Sequence, residues 1–146
     1  MGLPPRPIDV PGIPPECIAL VVNGGLMSGL RSHKRMLAAG GVLLRAVRTA
    51  PVYRLFSVND RFPGMLRVGE GGSAIAAELW SLPRTGFTQI IEGEPDGLSV
   101  GRLLLEDGTG PLGVIAEPRL VAGMAEITGF GGWRAYVAAK AISQDW

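Results

Sequence analysis

At 146 residues, with 47% apolar and 18% charged residues, the chain suits one domain with a buried core and is too apolar to be disordered. A net charge of +1 gives no global electrostatic reason to expect nucleic acid or an anionic membrane as partner. One cysteine, Cys17, excludes an internal disulfide and fits a reducing compartment, and with His33 as the one histidine it cannot make a zinc set.

Residues 1–16 read as a proline-rich N-terminal arm and residues 17–146 as the folded domain. Cys17–Val22 is a continuous apolar run, consistent with a buried strand, and Cys17 itself is expected to be a packing residue. A glycine-rich loop follows, Asn23-Gly24-Gly25-Leu26-Met27-Ser28-Gly29. Arg31–Ala39 then reads as a short helix stopped by Gly40-Gly41. Val42–Val47 and Val52–Val58 read as strands, Phe62-Pro63-Gly64 as a turn, Met65–Val68 as a short strand and Gly69–Ser73 as a hairpin turn. Ala74–Leu82 has the clearest strand alternation, and Pro83 opens a helix through Ile91.

Leu98–Leu105 and Leu112–Ala116 are expected strands around the Glu106-Asp107-Gly108 turn. Near the C-terminus, Glu126–Tyr136 reads as a short strand, a glycine corner and a helix start. Trp133, Tyr136, Val137 and Ala141 form one apolar stripe of a helix from about Gly132 to Ile142. Many short strands with three short helices define an α+β class, a small curled mixed sheet or barrel. No signal-peptide pattern and no apolar run of membrane-spanning length occurs, so a cytoplasmic location and no membrane partner are expected.

Three places could carry chemistry. The loop from Asn23 to Gly29 joins a buried strand to a helix start, where amides and the helix N-terminus suit a carboxylate or small oxyanion. Asn23, Gly24, Gly25, Leu26, Met27 and Ser28 are therefore the candidate substrate-binding residues; the alternative is a plain strand-to-helix turn. The loop is neither a Walker A sequence nor a Rossmann fingerprint.

Glu92, after Ile90-Ile91 and two residues before Glu94, is the candidate acid or base, because partial desolvation raises a carboxyl pKa. Its alternative is a solvated turn carboxylate. Glu78, between Ala76 and Trp80 on one face of a strand, is the second candidate. If that face is interior, Glu78 needs a partner such as arginine. His33 reads as a surface or satisfied histidine. No cofactor and no metal site are expected.

Several of these segments together carry a family resemblance. The order of strand, Asn23–Leu30 loop and helix resembles the γ-glutamylcyclotransferase-like fold. Arg48–Leu55, Pro63–Val68, Glu78–Pro83 and Ile127–Tyr136 are more specifically similar to the C-terminal domain of allophanate hydrolase, with coverage from about Cys17 to Ala139. In that family the domain follows a larger amidase part, which 146 residues cannot hold, and the proline-rich arm stands where the linker would be. The resemblance implies action on a small acidic amide or carbamate compound in nitrogen metabolism.

Two departures stand out. The family's loop histidine, in a Gly-Ala-His-Leu pattern, has no counterpart in Gly24-Gly25-Leu26. Conversely, Glu92-Gly93 resembles the glutamate of true cyclotransferases, which takes a proton from the substrate α-amine. The cyclotransferase tyrosine-arginine pair is not kept: Leu98–Arg102 stands there. The residues leave three readings: an amide or carbamate enzyme, a γ-glutamyl cyclotransferase releasing 5-oxoproline, and a non-catalytic binding or assembly module. Expected partners are a small acidic metabolite, a separate amidase in trans and a second copy in a homodimer.

Overall fold

The structure is a computed structural model that describes residues 10–144. The first nine residues of the arm and the last two of the domain lie outside the described residues. Cys17–Val22 forms β1 and His33–Ala38 forms α1, followed by β2 (Val42–Arg48), β3 (Tyr53–Val58), β4 (Phe62–Arg67) and β5 (Ala76–Pro83). Next come α2 (Arg84–Glu92), β6 (Leu98–Arg102), β7 (Leu112–Ala116), α3 (Pro118–Val121) and β8 (Ala125–Glu126). A 3-10 turn, Thr128–Phe130, leads into α4 (Trp133–Ala139).

Five strands form a mixed sheet in the order β2-β5-β1-β7-β6, and three form a smaller one in the order β4-β3-β8. The sheets stay open, with no closed barrel. β1 lies antiparallel to β5 and parallel to β7, so it occupies the centre. That position explains its unbroken apolar run: a central strand covered on both faces has no solvent face to make polar. β5 is similarly enclosed, with Ala77 through Leu82 all buried. Leu20, Leu79, Trp80 and Leu82 join Tyr53, Leu55 and Met65 of the smaller sheet in one core. Trp133, Tyr136 and Val137 of α4 close that core, and Val10 at the end of the arm packs against it.

Several local expectations are corrected. Phe62-Pro63-Gly64 is not a turn but the start of β4. A proline is accepted there because β4 is an edge strand, where the missing donor breaks no ladder. The turn lies just before it, at Asn59 and Asp60, whose φ angles of 52° and 58° are left-handed. Gly69–Ser73 does not close a hairpin, because β4 pairs with β3 while β5 pairs with β1 and β2. It crosses between the sheets, and Ser73 bridges to Tyr53.

The C-terminal helix ends at Ala139, and Ala141 is exposed with φ 53°, so Ile142 rather than Ala141 continues the packing. The glycine corner holds a 3-10 turn, and α3 is a fourth helix. Cys17 is half-buried. Among the described residues no helix is long and apolar enough to cross a membrane.

Candidate functional site

The loop leaving β1 is fixed at its start and closed upon itself at its end. Asn23 is buried, and its side-chain amide donates to the Val114 carbonyl at 3.0 Å, tying the loop to β7. Met27 N donates to Gly24 O at 3.0 Å, Ser32 N to Gly25 O at 2.8 Å, and Gly29 N to His33 Nδ1 at 3.1 Å. Helix α1 starts only at His33, and the His33 amide donates to Leu30 O. The helix N-terminus, expected at Arg31, is thus two residues further from the loop. Among the described residues, the amides of Gly24, Gly25 and Leu26 donate to no protein acceptor. Gly24 is glycine for a contact reason: a Cβ there would stand 2.7 Å from the Pro63 ring.

Glu78 lies under the second half of the loop. It is buried, and its Oε1 accepts from Ser28 N at 2.7 Å and Trp80 Nε1 at 3.2 Å. Its Oε2 accepts from Ser28 Oγ at 2.5 Å and from the Arg134 guanidinium at 3.1 Å. Four donors satisfy the charge that the apolar strand around it could not. Arg134 also donates to Ser28 O at 2.8 Å, so Ser28 is held from three sides. This arrangement holds a loop in place. Every lone-pair direction of the carboxylate is committed, which suits positioning rather than proton transfer.

Glu92 is exposed at the last position of α2 and does not share a hollow with the loop. The burial expected of it falls on Ile90, which is on the buried side of the helix. Glu94 takes the inward place. It lines a small hollow of about 40 Å³ with Asn23, Gly24, Gly25, Leu26, Phe62 and Pro63. The Arg35 guanidinium stands 3.6 Å from Glu94 Oε1, and that oxygen is buried without a hydrogen-bond donor. Burial pushes the Glu94 carboxyl above its ordinary range, and Arg35 only partly offsets this. Met27 and Ser28 are absent from the lining of this hollow.

A second, larger hollow of about 780 Å³ lies across β2, β5 and α4 and includes Met27, Glu78 and Arg134. In the sheet order it falls on the β5 side of β1, whereas the small hollow falls on the β7 side. The loop thus separates two cavities. Among the described residues no group of His, Cys, Asp and Glu could hold a metal ion.

Strand order and loop together define a γ-glutamylcyclotransferase-like fold, which distant solved structures of AIG2-like type share at the level of fold alone. Residues 18–138 match the model of the allophanate hydrolase C-terminal domain, and the chain belongs to that family. It is 32% identical over 130 residues to a urea amidolyase of Saccharomyces cerevisiae, covering 84% of this chain and 7% of that protein. The chain therefore spans a small fraction of the curated relatives it matches. Among solved structures, a uropathogenic E. coli-specific protein superposes with a TM-score of 0.81 at 47% identity, covering 84% of this chain and 96% of the other. Kluyveromyces lactis allophanate hydrolase superposes with a TM-score of 0.80 at 29% identity, over 84% of this chain and 21% of that one.

Proposed function

We propose that this domain acts on a small acidic amide or carbamate compound of nitrogen metabolism, in the small hollow between the Asn23–Leu26 turn and Glu94. One observation carries the reading. A buried Glu94 oxygen without a donor lines the same hollow as the Gly24–Leu26 turn, whose amides donate to no protein acceptor among the described residues. Buried polar groups are nearly always paired, so an unmatched buried oxygen beside a turn with uncommitted amides fits a polar ligand. The cavity of about 40 Å³ has room for a carboxylate or carbamate head group, or for the two or three waters that replace it.

In this reading the Gly24, Gly25 and Leu26 amides hold the substrate carboxylate or a developing oxyanion. Glu94, whose pKa burial raises, takes and returns the proton. Glu78 acts through Ser28, holding the loop in place. No cofactor or metal enters the scheme. Leu26 occupies the loop where the family pattern has a histidine, so no imidazole contributes. The same geometry also serves a γ-glutamyl substrate, whose α-amine would give its proton to Glu94. Incubating the domain with a panel of carbamates, amides and γ-glutamyl compounds tests this. Ammonia or 5-oxoproline release that is lost in Glu94→Gln supports the reading, and no turnover on any of them counts against it.

A second reading, an assembly module, is favoured by the exposed large apolar residues Leu37 on α1 and Val42, Leu43 and Leu44 on the edge strand β2. Such a face suits a separate amidase in trans or a second copy. Co-elution with an amidase in size-exclusion chromatography, reversed by Leu43→Lys, would favour this reading.

A further inference from the structure

The larger cleft has features of a binding site that the proposed chemistry leaves unused. Its floor is the face of β2 and β5 that carries Ala46 and Ala76, register partners of Glu78 and Arg48 respectively. Short side chains there leave depth, and the wall is α4 with Phe130 of the preceding 3-10 turn. The Phe130 ring is 41% exposed and stands edge-on to Tyr136 at 5.1 Å.

Three arginines line this space, of which Arg45 is paired with Asp107 at 3.0 Å, leaving Arg134 and Arg48 to consider. Arg134 is fixed by Ser28 O and buried Glu78, yet its side chain is 49% exposed. It is a cation whose orientation is set before any ligand arrives, and its five donors are not exhausted by those contacts. Arg48 lines the same cleft and meets Glu106 only at 3.7 Å, with both side chains more than half exposed. Its other contact is a long, exposed hydrogen bond to the Ala74 carbonyl at 3.4 Å, and two such weak, wet contacts let the guanidinium turn to a better acceptor.

We propose that this cleft binds an organic carboxylate with an apolar or aromatic body. The carboxylate is taken by Arg134 and Arg48, and the body lies over Ala46 and Ala76 against Phe130. Bidentate carboxylate recognition is what a planar, pre-oriented guanidinium does best, and the 780 Å³ cleft is of the size that encloses such a molecule. This site is separate from the small hollow, so it does not depend on the chemistry proposed there.

The test is a titration of the labelled domain with 3-phenylpropionate, followed by amide NMR shifts, with 3-phenylpropanol as the uncharged control. The proposal predicts saturable shifts at Gly131, Gly132 and Ala135, and binding at least about tenfold weaker for the alcohol. Arg48→Gln, an exposed change that leaves the fold intact, should weaken the acid about tenfold while leaving the alcohol unaffected. Ala46→Leu should block both, and Glu94→Gln should change neither. Absence of saturable shifts, or equal binding of acid and alcohol, overturns the proposal.

Discussion

Glu78 accepts both donors of Ser28, the amide at 2.7 Å and the hydroxyl at 2.5 Å, across fifty residues of sequence. Arg134 joins them from the far end of the chain. Glu78→Ala leaves the Ser28 amide, the Trp80 indole and Arg134 without their acceptor. Breaking a buried charged network from one side costs roughly 3–5 kcal/mol. A urea titration should show that loss, with Ser28→Ala costing about 1–3 kcal/mol.

Tyr136 donates to Asp60 Oδ1 at 2.6 Å, and Ser57 Oγ donates to the same atom at 2.7 Å, latching α4 to the β3–β4 turn. The Ser57 and Tyr136 hydrogen bonds hold the Asp60 carboxyl below its usual value. A carboxyl whose pKa is depressed on folding contributes stability above the unfolded pKa, about 3.9, and that contribution is lost as pH falls through the folded value. Tyr136→Phe should therefore reduce stability at neutral pH and flatten its decline in acid. Chemical denaturation midpoints across the acid range check both.

Glu94 has the opposite sign. Its pKa is raised by burial, so the folded state binds a proton more tightly than the unfolded state. Stability therefore falls as pH rises from the unfolded value, about 4.3, through the folded one, then levels. Glu94→Gln should remove that fall, so the variant gains on the parent at neutral pH and matches it in acid. Melting temperatures at several pH values read the difference directly.

Gly86 in α2 packs against the Ala39 carbonyl at the end of α1, and a Cβ there would overlap it. A backbone oxygen cannot swing aside, so the helices must separate. Gly86→Ala should cost about 1–3 kcal/mol, despite the better helix propensity of alanine. Equal unfolding midpoints for variant and parent would contradict this contact.

Most strands are legible in the sequence, including the alternating β3 and the exposed edge strand β2. Cys17–Val22 reads correctly because a central strand needs no polar face, and β5 reads nearly so. The second half of β4 is legible as Met65–Val68, but its first half is masked by Pro63, whose local meaning is a turn and whose tertiary meaning is a sheet edge. The glycine loop stands out in sequence, but its division between two hollows depends on the long-range Ser28–Glu78–Arg134 contacts.

The neighbours Ile90-Ile91 point to Glu92, whereas helical phase points to Glu94. Gly86 and Ile90 are the buried positions of α2, and four residues further along that face is Glu94. That spacing was the signal available in the sequence. Arg35, the partner that meets Glu94, is on another helix and left no local trace.

The central claim is that Glu94, not Glu92, moves protons beside the Gly24–Leu26 amides. It is tested most directly by comparing Glu94→Gln and Glu92→Gln on whichever carbamate, amide or γ-glutamyl compound the parent domain turns over. Loss of about two orders of magnitude in kcat for Glu94→Gln, with Glu92→Gln unchanged, is the predicted result. Full activity in Glu94→Gln, or the loss appearing in Glu92→Gln instead, would contradict it.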